Sequence, residues 1–257
     1  MMDFNERVIP KVTAGFQFNE SLARYEFAKK YVGSNLNIID IGCGTGYGSA
    51  VLGGKNTVVA IDNSKRAIAY ANKHYSNKAK FLVASATKLP FKDNSFDVAC
   101  SFELIEHLTD VPGYLDEVHR ILKPSGTFIL STPNKQVYSK GKKKGSLYHI
   151  KEYTLRDLSS LLAKYFKKID IKGQTKNTRA KNALKKFMKS QKARKKLASC
   201  DMLKIRNIIP SALKEKLWKY LGGLYGRQGQ EKLKTSDFPI RGGDLTNSEY
   251  FVAICKK

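Results

Sequence analysis

Asp40-Ile41-Gly42-Cys43-Gly44-Thr45-Gly46-Tyr47-Gly48 is the stretch that decides the fold of this 257-residue chain. It continues Asn37-Ile38-Ile39, a short apolar run closed by glycines, which predicts a buried strand. A helix is predicted from about Gly46 to Leu52. Glycines at such a junction let the backbone turn sharply and approach a ligand closely. The helix N-terminus offers free N–H groups and a positive dipole end to a carboxylate. Thr57 to Ile61 predicts a second strand ending at Asp62, 20 residues after Gly42. A carboxylate there can accept hydrogen bonds from both hydroxyls of a ribose. A dinucleotide fingerprint runs Gly-x-Gly-x-x-Gly. Here the spacing is Gly-x-Gly-x-Gly-x-Gly led by Asp40, a side chain poorly placed for a pyrophosphate and well placed for an ammonium group.

Outward from this loop, strands and helices alternate. A helix is expected over 20–32, with Leu22, Ala23, Phe27 and Tyr31 at helical spacing. After Asp62, Asn63 or Ser64 can cap a helix carrying Ala67, Ile68 and Ala71 on one face. Strands are expected over 80–84, 96–101 and 127–131. Between the last two, a helix from Val111 to Leu122 begins with Pro112 and ends before Pro124 and Gly126. A helix over 155–162 and strands over 168–172 and 250–255 complete the pattern. Such alternation implies a doubly wound α/β fold, a mostly parallel sheet with helices on both faces.

Charge divides the chain unevenly. The net charge is +25, and residues 135–234 alone hold 29 Lys and Arg against 6 Asp and Glu. That segment carries +23 and the remainder +2. Residues 174–248 break the strand–helix rhythm and read as a basic helical insertion within a single 1–257 domain. One amphipathic helix is expected around Leu184, Phe187 and Met188, and another over 212–221 with Leu213, Leu217, Trp218 and Leu221 on one face. Such a segment suits a polyanion, an anionic membrane surface, an anionic substrate, or simply a solvated face. Cys43, Cys100, Cys200 and Cys255 are scattered without a C-x-x-C pair, which fits a reducing cytoplasm and argues against a zinc site. No apolar run reaches the roughly 18 residues that span a membrane, and the acidic N-terminus has no apolar core of a signal peptide.

The motifs from Arg24 to Phe166 resemble the class I S-adenosylmethionine (SAM)-dependent methyltransferases, specifically the type 11 group. The matching stretches are Arg24-Tyr25-Glu26-Phe27-Ala28, the glycine loop, Leu89-Pro90-Phe91, Ser95-Phe96-Asp97-Val98, Ser101 to Leu108, Arg120 to Gly126, Ser131-Thr132-Pro133-Asn134 and His149-Ile150-Lys151-Glu152-Tyr153-Thr154. The resemblance implies a Rossmann-like seven-stranded sheet whose last strand is antiparallel, and SAM as cofactor. It places Gly42, Gly44 and Gly46 along the methionine part and Asp62 at the ribose. Ser85 and Ala86 stand where the family approaches the adenine, with Ser85 replacing a frequent aspartate. Ser125 replaces the first glycine of the family's Pro-Gly-Gly turn. Arg24 and Tyr25 either close over the cofactor or form a surface pair. Asp40 faces the amino-acid tail, and Glu103 contacts the cofactor.

Glu103, Glu106 and His107 follow the fourth expected strand, at the rim where α/β sheets bind ligands. On a helix their spacing shares one face. Three roles stay open. His107, or His149 in its loop, takes the proton of a substrate hydroxyl. Alternatively Glu103, Glu106 and His107 ligate a divalent metal, a role implied by resemblance to ubiquinone-pathway and small-RNA O-methyltransferases, with His149 a counterpart of a further histidine. In the third, the acids only cap a turn and contact the cofactor. The resemblance favours a cytoplasmic enzyme methylating a sugar or other small-molecule hydroxyl in glycan biosynthesis. Its acceptor would be nucleotide- or lipid-linked, with peripheral contact to the inner, anionic membrane face. The alternatives are an RNA 2′-O-methyltransferase gripping phosphates with the basic segment and a non-catalytic SAM-binding protein.

Overall fold

The computed structural model describes residues 8–10, 13, 15–139, 148–199 and 233–257. Its strands are β1 (Asn37–Ile41), β2 (Thr57–Asp62), β3 (Lys80–Val83), β4 (Phe96–Phe102), β5 (Leu122–Pro133), β6 (Lys168–Gln174), β7 (Ile240–Arg241) and β8 (Tyr250–Lys256). They form one sheet in the order β3-β2-β1-β4-β5-β8-β6-β7. The first five run parallel, and β8 lies antiparallel between β5 and β6. The expected seven strands become eight because β7 pairs with Gly173 and Gln174 of β6. Two residues show no periodicity in a sequence; only the open edge of β6 makes them a strand.

Among the described residues the α-helices are α1 (Gly15–Ala28), α2 (Tyr47–Leu52), α3 (Lys65–Tyr75), α4 (Val111–Ile121), α5 (Lys135–Tyr138), α6 (Leu155–Leu162) and α7 (Thr178–Ser199). The caps follow from side-chain chemistry. Ser64 Oγ accepts from Ala67 N–H, Asp110 from Gly113 N–H, and Thr154 and Asp157 form a reciprocal capping box. Each cap offsets an unpaired helix donor at about 1 kcal/mol. α4 passes straight into β5 at Leu122, which pairs with Phe96 before the register shifts. The strand therefore begins five residues earlier than its apolar run suggests.

Alternation along the strands divides the core between the sheet's two faces. Ile39, Ile41, Phe128 and Leu130 point to the face covered by α4 and α6, with Leu115, Val118, Leu158 and Leu162. Ile38, Val98 and Ile129 point to the opposite face, where Phe27 of α1, Leu52 of α2 and Ile68 of α3 pack. Burying each such side chain stabilises the fold by about 1.5–3 kcal/mol. The chain reverses its strand order between β1 and β4, and in open α/β sheets ligands bind at that switch point beyond the strands' C-terminal ends. No helix among the described residues is long and apolar enough to cross a membrane. Cys43, Cys100 and Cys255 are buried and form no disulfide among the described residues. Of the expected insertion, Gln174 belongs to β6 and α7 is helical as the Leu184–Met188 pattern predicts. The stretch 205–210 and the amphipathic pattern at 212–221 lie outside the described residues.

Candidate active site

The glycine loop crosses from β1 to α2 at the switch point. Gly42, Gly44 and Gly46 all have positive φ, at 79°, 53° and 82°. A Cβ on Gly46 would fall 2.7 Å from Ala71 Cβ and from the Phe81 ring, so this glycine is needed for packing. A Cβ on Gly44 would meet nothing within 4 Å, so this glycine faces open space. The N–H groups of Gly42 and Cys43 donate to the Ile61 carbonyl, at 2.8 and 2.9 Å. Asp62, at the end of β2, accepts from Gly44 N–H at 2.9 Å and from Ser64 N–H at 2.8 Å. It thus holds the loop to β2.

Beneath the loop lies Asp40, fully buried. Ser49 Oγ donates to its carboxylate at 2.6 Å and Tyr25 OH at 3.3 Å. Burial raises the Asp40 carboxyl to about 7. The Tyr25 ring covers Gly48 so closely that no Cβ fits there. Arg24, the preceding residue, turns toward the end of β6 and the start of β8 instead. Its Nη1 donates to Gln174 Oε1 at 2.7 Å, and its guanidinium lies 4.7 Å from the Tyr250 ring centre. Its Nε is buried without a hydrogen bond.

Across the switch point, β4 ends in Ser101-Phe102 and the chain turns at Glu103, whose φ is 53°. Ile105–His107 is a single 3-10 turn rather than the α-helix assumed for a shared face. The left-handed turn separates Glu103 from the other two residues. Its Oε1 accepts from Ser131 Oγ at 2.7 Å, and burial raises its carboxyl against the opposing charge of Arg24. Glu106 accepts from Thr132 Oγ1 at 3.1 Å through Oε2, while Oε1 is buried with no hydrogen-bond partner. Burial, then the nearby Glu103 charge, pushes the Glu106 carboxyl well above the usual carboxylate range.

The loop after β5 closes this site. Ile150 and Lys151 N–H donate to the Glu106 carbonyl at 2.8 and 3.2 Å. His107 Nδ1 meets the Tyr148 carbonyl at 2.9 Å, and His149 Nδ1 meets Glu152 Oε1 at 2.9 Å. Each Nδ1 faces an acceptor, which orients the ring and presents Nε2 on its other side. The two rings lie 5.1 Å apart at 76°. Ligand atoms of Glu106, His107 and His149 all lie within 4.8 Å of one another. One carboxylate oxygen without a partner and two imidazoles oriented through their other nitrogen suit a divalent cation. The same groups suit proton transfer.

The metal set expected from sequence was Glu103, Glu106 and His107. The structure brings together Glu106, His107 and His149 and turns Glu103 toward Ser131 and Arg24. Asp40 and Tyr25 lie buried under the loop rather than on its open side, and neither Arg24 nor Tyr25 is a surface residue. Ser85 is exposed, with its Oγ 3.0 Å from Thr87 Oγ1, and Ala86 is half-buried beside it. The Ser131-Thr132-Pro133-Asn134 stretch has a structural role that its sequence does not announce. Here Ser131 and Thr132 hold the two acids, and Asn134 anchors the strand end through the Ser248 carbonyl. Glu152, quoted only within its motif, orients His149. The regular i, i+3 spacing of His149 and Glu152 was the available signal.

Residues 39–130 match the family described as "Methyltransferase domain". The chain is 33% identical over 128 residues to a "Probable S-adenosylmethionine-dependent methyltransferase" of Mycobacterium tuberculosis, a match covering 49% of this chain and 46% of that protein. It is 34% identical over 119 residues to the mitochondrial "Ubiquinone biosynthesis O-methyltransferase" of Dictyostelium discoideum, covering 40% of this chain and 37% of that one. The chain thus spans about half the length, or less, of these relatives. A Thermotoga maritima "SAM-dependent methyltransferase, possible histamine N-methyltransferase" superposes with a TM-score of 0.61 at 19% identity, covering 95% of this chain and 91% of that one. That likeness concerns the fold.

Proposed function

We propose, from the premise that this chain carries a class I SAM-dependent methyltransferase domain, that it transfers the SAM methyl group to a hydroxyl of a sugar or another small molecule. The observation that carries this reading is the cluster of Glu106, His107 and His149 at the switch point, opposite the glycine loop. Methylation of a hydroxyl needs a group to take its proton, and two imidazoles presenting Nε2 supply one.

The residues present fit the cofactor. The Gly44 face is open, the α2 N-terminus lies beside it, and the Asp62 carboxylate stands against the loop at the end of β2. SAM supplies an electrophilic methyl group and leaves as S-adenosylhomocysteine. Gly42, Gly44 and Gly46 would line the methionine part, and Asp62 the ribose. The buried Arg24 Nε, without a partner, and Glu103 would face the polar end of the site. As the acceptor oxygen forms its bond to the methyl carbon, His107 or His149 would accept the hydroxyl proton at Nε2. In the alternative arrangement, a divalent cation held by Glu106 and by Nε2 of His107 and His149 would lower the pKa of a bound hydroxyl, and neither imidazole would then act as the base.

A second reading, 2′-O-methylation of RNA, draws support from the basic α7 and from the same donor set. Transfer of labelled methyl from SAM into host extract, fractionated into lipid-linked glycan, nucleotide-sugar and RNA pools, separates the two. Label in a glycan pool is the expected result. Label in nuclease-sensitive material would replace the sugar reading by the RNA one. SAM binding with no label in any pool would favour a non-catalytic SAM-binding protein.

A further inference from the structure

We propose that α7 and the loop carrying His149 form a docking face for an anionic lipid bilayer, beside the mouth of the site. The two segments leave the sheet at the same edge. In register, Gln174 of β6 faces Tyr250 of β8, which faces Pro133 of β5. β5 and β6 therefore end at the same edge of the sheet, where the ligand site lies. The His149 loop follows β5, and α7 follows β6.

α7 runs outward from that edge. Ala180 packs with Ala23 of α1, and Phe187 meets Phe16 with ring centres 5.2 Å apart. The partner number falls as the α7 number rises, so the helices are antiparallel. α1 reaches the glycine loop through Tyr25 near its C-terminal end, so α7 leads away from it. At about 1.5 Å per residue, its 22 residues span roughly 33 Å.

The inner side of α7 is occupied by Ala180, Ala183 and Phe187. Lys181, Lys185, Lys189 and Lys192 recur every three or four residues on the outside and are all exposed. The helix holds nine Lys and Arg and no acid. Met188 is 53% exposed among these lysines. On the His149 loop, Tyr148 is 52% and Ile150 58% exposed, flanking the histidine, and Lys151 is exposed beside them.

Lysines alone would suit any polyanion. The exposed Ile150 and Met188 decide for a bilayer. Aliphatic side chains gain nothing from phosphates in water but bury themselves at the headgroup boundary, while single-stranded nucleic acid calls for aromatic platforms among the cations. Because the apolar side of α7 is already packed on α1, the helix adsorbs through its lysines, and Tyr148 and Ile150 are the inserting groups. This face stands independently of the methyl-transfer reading. If that reading also holds, the acceptor is presented from the membrane surface.

The test is co-sedimentation of the full chain with vesicles of phosphatidylcholine, or of equal parts phosphatidylcholine and phosphatidylglycerol. Binding is expected to the mixed vesicles only, and to weaken as salt rises, since screening shortens from about 10 Å at 0.1 M to about 3 Å at 1 M. The triple variant Lys185→Glu, Lys189→Glu, Lys192→Glu should lose about a hundred-fold in partition at low salt. Ile150→Ser should lose about ten-fold. Circular dichroism and melting of both variants check that the fold is kept. No binding of the folded protein to mixed vesicles, or binding unchanged in the folded triple variant, overturns the proposal. So does an RNA oligonucleotide that binds more tightly per phosphate than the mixed vesicles, with Ile150→Ser binding it equally well.

Discussion

The Ile150 N–H donates to the Glu106 carbonyl at 2.8 Å, and this bond joins two loops that follow different strands. Beside it, the Tyr148 carbonyl meets His107 Nδ1. The backbone of the second loop is thus laid along the 3-10 turn of the first, which sets His149 next to His107. Ile150→Pro would remove the donor without touching either imidazole. It should lower kcat by about a hundred-fold through misplacement of His149 while leaving SAM affinity unchanged. Calorimetric titration with SAM beside a turnover assay checks both halves; an unchanged kcat would show that the bond does not position the site.

His107→Ala and His149→Ala should each cut turnover by at least about 100-fold, with SAM affinity largely kept. A variant that loses SAM binding in proportion would move that histidine out of the reaction and into the cofactor pocket.

The donor set also predicts uptake of a divalent ion. Titration of the chelator-treated protein with Co2+ should develop visible d–d absorption, and Glu106→Gln and His149→Ala should each abolish it. Glu103→Gln should keep it, because Glu103 faces Ser131 and Arg24. Equal loss in Glu103→Gln would restore the ligand set expected from sequence.

Asp62→Ala removes the acceptor for Gly44 N–H and the carboxylate that the proposed function assigns to the ribose. With charge-assisted bonds worth about 1.5–3 kcal/mol, SAM affinity should fall at least ten-fold. Gly44→Ala should cost only about 1–2 kcal/mol of stability, from its positive φ, whereas Gly46→Ala should prevent stable folding by collision with Ala71 and Phe81. Thermal melting with and without SAM separates the three.

Asp40 is a buried acid whose carboxyl is raised to about 7 by its burial. The folded state holds its proton more tightly than the unfolded chain, where the group titrates near 4. Its contribution to stability is therefore full below about pH 4 and is lost as pH rises toward 7. Asp40→Asn keeps the shape and cannot ionise. The difference in unfolding free energy between variant and wild type should grow in favour of the variant by a few kcal/mol across that window. Urea unfolding at several pH values measures it, and a flat difference would mean that Asp40 titrates normally.

The sequence by itself determined the architecture. Strand–loop–helix patterning around Asp40 to Gly48, the caps at Ser64, Asp110 and Thr154, and the apolar runs are local signals, because hydrogen-bond and burial periods are written over a few residues. Asp62 was legible for the same reason, since it ends a strand at a fixed distance from the loop. Only the tertiary structure decided the membership of the acid–histidine cluster. Spacing suggested Glu103 with Glu106 and His107, and the resemblance offered His149 as a further histidine; the left-handed backbone at Glu103 turned that acid aside, and a ring contact across 42 residues of chain set His149 beside His107. The side β7, the burial of Asp40 beneath Tyr25, and the hydroxyl grips of Ser131 and Thr132 were decided in the same way. Each depends on which segments the sheet order brings side by side, and pairing between distant segments has no period to read along the chain.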